Sequence, residues 1–321
     1  ISGDILIMNK ISAFFKLVRW QNLLMIALMM ILVYHSLMSP LHACGVIGAL
    51  PSALSFLLLL ISLIFIVAAG YVINDYFDVE IDKVNKPEQL IVSKIFSETE
   101  TKVFYVLLTI LGIIIGAISG VIALNSKFYI ILAILALLTA LLYSYSSSYK
   151  RKLVVGNIIV SFSVAFAVFL PWLFVMLYLS DNVLILSSVR DVIMSSSMSK
   201  LVLIYTAFAF LMTLLREIVK DAEDLKGDKL TRCRTIPIVL GIKKMNVILI
   251  LSILLICMLL LYFTYVLYVM HSYIALVIMS LILLCLVLSL AYLLRKNISY
   301  HKYSVFLKIM MLLGIISMIF V

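Results

Sequence analysis

The sequence predicts an all-α membrane protein with nine transmembrane helices, and two observations lead to this fold class. Of the 321 residues, 65% are apolar and only 12% are charged, whereas about 25% are charged in an average soluble domain. The apolar residues also form long runs separated by short charged segments, as is typical of helices that span a bilayer. Soluble, disordered and collagen-like classes are therefore excluded.

Nine apolar stretches are long enough to cross a hydrocarbon core of about 30 Å, which requires roughly 20 residues per helix. Their predicted bounds are 17–38, 51–75, 103–124, 127–146, 153–179, 199–220, 245–270, 273–294 and 303–321. Pro171 is expected to kink the fifth helix or mark its end, because proline removes one backbone hydrogen bond. We expect residues 1–321 to form one polytopic domain, with residues 1–16 as a cytoplasmic N-terminal segment.

The basic residues concentrate on one side of this predicted bundle. One set of loops carries 22 of the 25 Lys and Arg residues, and the opposite set carries only Lys127, Arg190 and Lys200. Since basic loops face the cytoplasm, we expect a plasma-membrane protein with its N-terminus inside and its C-terminus outside. The loops also account for the net charge of +10, so the predicted partners are membrane lipids and not nucleic acid.

Two acidic motifs follow the second and sixth predicted helices, and both have the form Asp-x-x-Asp-x-x-x-Asp. The first motif lies in the predicted cytoplasmic segment 75–102 and consists of Asp75, Asp78 and Asp82. The second lies in the predicted cytoplasmic segment 221–244 and consists of Asp221, Asp224 and Asp228. Each aspartate lies 146 residues from its counterpart. Because the motifs end helices four apart, they predict two parallel four-helix repeats plus a ninth helix.

The spacing of each motif predicts three carboxylates on one face of a helix, since positions i, i+3 and i+7 fall within about 60° of one another. Such carboxylates repel one another unless a cation neutralises them. Oxygen ligands without nearby imidazole or thiolate favour Mg²⁺, and two clusters predict ions on both sides of a diphosphate. A single acidic motif is equally typical of a solvated loop.

The two motifs resemble those of the UbiA superfamily of intramembrane prenyltransferases. The matching residues are Asn74, Asp78 and Asp82 in the first motif and Asp221, Asp224 and Asp228 in the second. The resemblance implies that Asn74 and all six motif aspartates bind metal, and that the catalytic aspartates are Asp78, Asp82, Asp224 and Asp228. It also implies Mg²⁺-dependent transfer of a prenyl group from a prenyl diphosphate to a membrane acceptor.

Four further segments are similar to the digeranylgeranylglyceryl phosphate synthase branch of that superfamily: Arg19 to Asn22, Tyr143 to Lys150, Gly156 with Asn157, and Arg216 to Asp228. This similarity implies a geranylgeranyl diphosphate donor and the hydroxyl of geranylgeranylglyceryl phosphate as acceptor, in isoprenoid lipid biosynthesis. It makes Tyr143 and Asn157 additional site candidates. One position departs from the family pattern, because Ser93 is followed by Lys94 where many members have glycine.

Basic residues near the motifs are the predicted ligands for substrate phosphates. The cytoplasmic loops supply four candidates for the leaving diphosphate, namely Lys150 and Arg151 with Lys86 and Lys94 behind them. Lys or Arg donors stabilise the charge that develops on such a leaving group. The positive-inside rule alone also explains basic residues at these positions.

Polar residues at helix ends are the predicted acceptor-binding groups. Arg19 and Asn22 lie three apart on the first helix, where polar groups are costly unless used. Snorkelling of Arg19 to the membrane surface is the alternative. Arg216 and Lys220, one turn apart on the sixth helix, are expected to pair with the Asp cluster or to contact a phosphate.

Two other functions compete with this interpretation. The same enzyme fold would serve an aromatic acceptor, of the hydroxybenzoate, naphthoate or homogentisate type, in quinone biosynthesis. A secondary transporter also has internal repeats and buried charges. Transporters keep these charges near the bilayer midplane, however, whereas the carboxylates here lie at helix ends on one side.

Overall fold

The computed structural model describes residues 2–85, 87–230, 233–295 and 297–321, and these residues are mainly helical. In chain order the α-helices are α1 (Ser2–Leu17), α2 (Trp20–Leu32), α3 (Ser39–Ala43), α4 (Ala53–Phe77), α5 (Val79–Asn85), α6 (Glu98–Ala123), α7 (Phe128–Ser147), α8 (Val155–Asp181), α9 (Val183–Ser195), α10 (Met198–Glu223), α11 (Leu225–Leu230), α12 (Ile236–Val239), α13 (Gly241–Val269), α14 (Tyr273–Leu293) and α15 (Tyr300–Ser317). A π-helical turn, Val33–Leu37, extends α2, and 3₁₀ turns occur at Pro87–Gln89, Tyr149–Arg151 and Met318–Phe320.

Nine helices in the described part of the chain are long and apolar enough to cross a membrane. They are Trp20–Leu37, Ala53–Phe77, Glu98–Ala123, Phe128–Ser147, Val155–Asp181, Met198–Glu223, Gly241–Val269, Tyr273–Leu293 and Tyr300–Phe320. Each coincides with one predicted stretch to within five residues at either end, so the predicted fold class is confirmed. Pro171 lies inside α8 and does not end that helix.

The chain divides into two compact units that alternate along the sequence. The first unit comprises Ile1–Ala27, Pro51–Lys152 and Lys226–Cys233, and the second comprises Leu28–Leu50, Leu153–Leu225 and Arg234–Val321. The first motif lies entirely in the first unit. The second motif is divided, because Asp221 and Asp224 belong to the second unit and Asp228 to the first. The paired four-helix repeats and the single domain over 1–321 stay predictions.

In the first unit, α4 and α6 pack closely because small residues line their contact. A Cβ atom added to Gly116 of α6 would lie 2.6 Å from Ser62 Oγ of α4. The same Ser62 hydroxyl donates a 2.7 Å hydrogen bond to the carbonyl of Gly112. Small residues let helix backbones approach in this way. Leu17 of α1 and Val72 of α4 share a buried cluster, which holds α1 beside the end of α4 that carries the first motif.

In the second unit, α10 packs against α8, α13 and α15. Tyr205 of α10 is buried, and its ring meets Phe263 of α13 edge-on with centroids 4.9 Å apart. Its hydroxyl lies 2.8 Å from Ser317 Oγ at the end of α15, which satisfies the need of a buried hydroxyl for a hydrogen-bond partner. These contacts fix the helix that ends in the second motif.

Both motifs lie where a membrane-spanning helix ends, so the prediction of three carboxylates on one continuous helix is wrong. Asp78 follows α4 with φ −93° and ψ 0°, and Asp224 follows α10 with φ −87° and ψ 6°. These values lie in the bridge region between helix and strand, and aspartate is a weak helix former. The third aspartate of each motif therefore lies on a separate short helix, α5 or α11.

Candidate active site

The middle aspartate of the first motif, Asp78, is buried and paired with a lysine. Asp78 is 4% exposed, and its Oδ2 accepts a 2.7 Å hydrogen bond from Asn74 Nδ2. The same oxygen accepts a hydrogen bond from Lys150 Nζ, which lies in the 3₁₀ turn after α7. A buried carboxylate is costly unless it is paired. Lys150 therefore supplies the ion-pair partner that this buried side chain needs.

The same ion pair keeps Lys150 positively charged. Burial is the largest single influence and lowers the pKa of Lys150, but Asp78 and Tyr145 together with weaker contributions raise the pKa above its usual value. Asp82 acts in the same direction. Lys150 is accordingly protonated at neutral pH and supplies a permanent positive charge to the first motif.

The first aspartate of this motif, Asp75, binds the arginine that precedes the first membrane helix. Arg19 Nη2 lies 2.8 Å from Asp75 Oδ1, and the guanidinium lies 4.8 Å from the centre of the Tyr71 ring. Tyr71 also accepts a 3.3 Å hydrogen bond from Asn22 Nδ2. Arg19 has a left-handed φ of 53°, a strained conformation for a residue with a side chain. Tyr71, on α4, therefore contacts both of the predicted acceptor-binding residues Arg19 and Asn22.

The last aspartates of the two motifs lie on two short helices of the first unit. Asp82 is on α5 and Asp228, which is 5% exposed, is on α11. The backbone N–H of Gly227 donates a 2.9 Å hydrogen bond to Asn85 Oδ1. A single side chain from the end of α5 therefore contacts α11 next to Asp228.

The part of the second motif in the second unit has a neutral partner. Asp221 lies in the last turn of α10, and its Oδ2 accepts a 2.9 Å hydrogen bond from Asn157 Nδ2. Asn157 is 8% exposed and lies in the first turn of α8. The structure therefore brings Asn157, a candidate from the family resemblance alone, to a predicted metal ligand.

Arg216 and Lys220 were expected to pair with the Asp cluster or to contact phosphate, and in the structure their ion-pair partner is Glu217. Arg216 Nη1 lies 3.4 Å from Glu217 Oε1, and Lys220 Nζ lies 3.5 Å from Glu217 Oε2. The reason is local, because these residues are neighbours on one helix and Glu217 is 8% exposed. Arg216 Nε is buried and has no hydrogen-bond partner within the described structure.

The other candidates occupy varied positions. Lys94 and Arg151 are exposed, so their side chains are not buried as Asp78 is. Tyr143 packs edge-on against Phe77 at the end of α4, with ring centroids 5.9 Å apart. Lys86 lies outside the described residues.

The side chains of the two motifs offer oxygen atoms, which are suitable ligands for a hard cation. Carboxylate and amide oxygens are the ligands that Mg²⁺ prefers, and this ion typically uses one or two carboxylates together with substrate phosphates. Across the described ranges, no group of three His, Cys, Asp or Glu side chains is close enough to hold a metal ion. The donor set therefore fits Mg²⁺ in the mode in which the substrate completes the coordination.

Comparison with protein families matches most of the chain. Residues 36–313 match the UbiA prenyltransferase family. The chain belongs to this family. Membership confirms the resemblance predicted from the two Asp motifs. Together with the nine apolar helices, it makes this UbiA member an integral membrane protein.

Two relatives of this UbiA protein are digeranylgeranylglyceryl phosphate synthases. The one from Saccharolobus solfataricus is 36% identical over 180 residues, which cover 56% of this chain but only 54% of that relative. The one from Sulfurisphaera tokodaii is 29% identical over 303 residues, covering 93% of this chain and 94% of that relative.

Two solved structures have the same fold. A structure of digeranylgeranylglyceryl phosphate synthase in membranes has a TM-score of 0.64 and 25% identity, covering 97% of this chain and 98% of that chain. A UbiA homologue from Archaeoglobus fulgidus bound to GPP and Mg²⁺ has a TM-score of 0.59 and covers 96% and 98%, at 17% identity. The second likeness supports the fold alone.

Sequence reasoning missed four residues that contact the candidate residues or lie next to them, namely Tyr71, Asn85, Glu217 and Gly227. Two of them carried a usable signal. Tyr71 precedes Asp75 by four positions, which places both on one face of α4, and Glu217 lies beside Arg216. The bond between Asn85 and Gly227 joins residues 142 positions apart and had no sequence signal.

Proposed function

We propose that the protein is a digeranylgeranylglyceryl phosphate synthase, which transfers a geranylgeranyl group from geranylgeranyl diphosphate to the hydroxyl of geranylgeranylglyceryl phosphate. The observation that carries the proposal is the ion pair between the buried Asp78 and the half-buried Lys150, within a family of prenyltransferases. The match along 93% of the chain to a synthase of that name supports this choice of substrates.

The first motif and its lysine are the proposed binding groups for the donor diphosphate. Lys150 is a cation in the turn after α7, and its hydrogen bond to Asp78 directs its ammonium group toward the first motif. Arg151, Lys94 and Lys86 are the proposed outer contacts of the same diphosphate. The attraction between a half-buried cation and a diphosphate is stronger than in water, because the surrounding dielectric constant is low.

Oxygen atoms of both motifs are the proposed Mg²⁺ ligands. They belong to Asn74, Asp75, Asp78, Asp82 and Asp228 in the first unit and to Asp221 and Asp224 in the second. Mg²⁺, when bound, neutralises the charge that develops on the leaving diphosphate. No protein nucleophile is needed for this chemistry.

Four side chains are the proposed contacts of the acceptor. Arg216 supports this role because its buried Nε–H has no partner in the described structure, and an anionic phosphate oxygen satisfies such a donor. Lys220 lies one turn away. Arg19 and Asn22, held through Tyr71, are the corresponding polar groups of the first unit.

The reaction replaces one C–O bond with another. The bond between the allylic carbon and the diphosphate oxygen breaks, and the diphosphate leaves with the electron pair. The acceptor hydroxyl forms an ether bond to that carbon and loses its proton to the diphosphate or to a nearby carboxylate. Proximity supplies much of the acceleration, so a strong base is not required. The apolar helices exclude water that would otherwise capture the allylic cation.

A competition assay tests the acceptor. Purified protein is given geranylgeranyl diphosphate, Mg²⁺, geranylgeranylglyceryl phosphate and hydroxybenzoate or naphthoate together, and the products are identified by mass spectrometry. We expect only the glycerol lipid to be prenylated, and activity to disappear in EDTA and return with Mg²⁺. Prenylation of the aromatic acceptor alone would overturn the acceptor while leaving prenyl transfer intact. Full activity in EDTA would overturn the metal.

The proposed location is the plasma membrane, with both Asp motifs on its cytoplasmic side. This orientation follows from the predicted loops on that side, which carry 22 of the 25 basic residues. Single cysteines are introduced into a variant without Cys44, Cys233, Cys257 and Cys285. Lys83→Cys, beside Asp82, is expected to resist an impermeant thiol reagent in intact cells, whereas Ser187→Cys on α9 is expected to react. The reverse pattern would overturn the orientation.

A further inference from the structure

We propose that Asn85 is a positioning residue, which fixes Asp228 of the second motif against the short helix that carries Asp82 of the first. The proposal rests on the proposed function, because it assigns Asn85 a role in binding the metal and the donor diphosphate. It concerns residues of the first unit only.

The contact combines a hydrogen bond with a close fit. Asn85, the last residue of α5, accepts a 2.9 Å hydrogen bond through Oδ1 from the backbone N–H of Gly227. The acceptor residue lies one helical turn after Asp82, and the donor residue directly precedes Asp228. The bond therefore ties together two helices of seven and six residues, each bearing the last aspartate of its motif.

Gly227 is suited to this contact because it has no side chain. A Cβ atom at position 227 would lie 2.5 Å from Asn85 Nδ2 and 2.7 Å from both Cγ and Oδ1. Such distances are shorter than a van der Waals contact, so one of the two groups would have to move. Any larger residue at this position therefore has to push the Asn85 carboxamide away from α11.

Short helices need such a contact. Isolated helices of fewer than about 12 residues are marginal in water, so α5 and α11 depend on tertiary contacts for their position. Asp228 is 5% exposed, and a buried carboxylate has to be held at a fixed distance from its partners. A side-chain clamp at Gly227, the adjacent residue, meets this requirement.

Metal binding provides the test, since outer groups that orient metal ligands typically change affinity by about 10 to 100-fold. Mn²⁺ with inorganic pyrophosphate serves as the probe, and binding is followed by electron paramagnetic resonance on the full-length protein in detergent. The variants are Asn85→Ala, Asn85→Asp and Gly227→Ala, with Lys83→Ala on the exposed side of α5 as the matched control. The KM values of donor and acceptor are measured separately for each variant.

Asn85→Ala is expected to weaken Mn²⁺ binding and to raise the donor KM by about tenfold, with the acceptor KM changed by less than about twofold. Asn85→Asp keeps the accepting oxygen and is expected to stay within about threefold of the native protein. Gly227→Ala is expected to resemble Asn85→Ala, and Lys83→Ala to resemble the native protein.

The double variant Asn85→Ala/Gly227→Ala tests the fit directly. Removing the carboxamide makes room for the new methyl group, so we expect the double variant to be no worse than the poorer single variant, because residues in contact act non-additively. Native Mn²⁺ binding in Asn85→Ala, or fully additive effects, would overturn the positioning role. If the native protein binds no Mn²⁺ with pyrophosphate, the proposed function itself fails, and the role of Asn85 with it.

Discussion

In the first motif the middle aspartate is bonded to a lysine, whereas in the second motif Asp221 is bonded to an asparagine. The backbones are alike, because Asp78 and Asp224 both follow the end of a long helix with nearly the same φ and ψ values. The side-chain partners differ, since Lys150 brings a charge to Asp78 and Asn157 brings only a hydrogen bond to Asp221. The first aspartates also differ, because Asp75, the counterpart of Asp221, pairs with Arg19. Equal spacing in sequence therefore does not mean equal side-chain contacts.

This difference extends to the neighbouring basic residues. Arg19 of the first unit pairs with a motif aspartate, Asp75. Arg216 of the second unit pairs instead with Glu217, outside the three motif aspartates, and keeps one donor without a partner in the described structure. We infer that the first motif serves the donor diphosphate and that the residues before the second motif serve the acceptor.

The largest expected effect is shared by both motifs. Asp78→Ala and Asp224→Ala should each lower kcat/KM by at least about 10³-fold, because loss of either carboxylate removes a proposed ligand of the metal that would stabilise the leaving group. Steady-state assays of purified protein measure this, and circular dichroism checks that the helices remain. Glu80→Ala, at an exposed acid between Asp78 and Asp82, is the control. Substantial activity in both variants would contradict the site assignment.

The next effect separates the motifs. Lys150→Ala should lower kcat/KM by about 10²-fold, because it removes a cation from the proposed leaving-group site and leaves the Asp78 carboxylate without its ion pair. Lys150→Arg should retain more activity than Lys150→Ala. The exposed Lys152, which lies over the Tyr149 ring, supplies the control variant Lys152→Ala. Equal losses at positions 150 and 152 would show that Lys150 has no special role.

A smaller effect is expected on the acceptor. Arg216→Ala should raise the KM of geranylgeranylglyceryl phosphate by about tenfold and that of the donor by less than about twofold, because its proposed contact is to the acceptor. Arg19→Ala should raise both KM values, and the acceptor KM more, because Arg19 also pairs with Asp75, a proposed metal ligand. Separate titrations of the two substrates measure the split. Arg295→Ala, an exposed arginine over Tyr292 in the second unit, is the control. A matching rise in the donor KM would contradict the division of roles.

The smallest effect is expected at the neutral partner of the second motif. Asn157→Ala should lower kcat/KM by about fivefold, since it removes a hydrogen bond to Asp221 without removing a charge or a proposed metal ligand. Asn157→Asp should be worse, because it places a second carboxylate beside Asp221. Assays under the conditions used for Lys150→Ala allow a direct comparison. A loss at Asn157→Ala as large as that at Lys150→Ala would remove the contrast between the motifs.

The fold was largely predictable because it depends on long apolar runs. The nine stretches needed only length and composition, and the structure changes their ends by a few residues. The break at Asp78 and Asp224 was not predicted, since helix geometry was extended through residues that end the helix. A wheel projection cannot show where a helix stops when no glycine or proline marks the end.

The sequence predicted most of the candidate residues but not their contacts. The motif resemblance identified Asn157 and Lys150, but only tertiary structure shows that they reach Asp221 and Asp78. Arg216 and Lys220 form ion pairs with Glu217. Glu217 is near both in sequence on the same helix, so it competes with the motif aspartates for these basic side chains. The contact of Asn85 with Gly227 depends on two short helices whose positions no periodicity specifies.

The order in which the chain is made gives the alternating units a consequence for assembly. A ribosome releases the chain from its N-terminus, so Lys226–Cys233 emerges only after all of Leu153–Leu225, although it belongs with Pro51–Lys152. A nascent chain that already contains the whole first motif still lacks Asp228 and Gly227. The proposed site is therefore completed late in translation, after α10 has been synthesised, and we expect a nascent chain that ends before Asp228 to lack the proposed prenyl transfer.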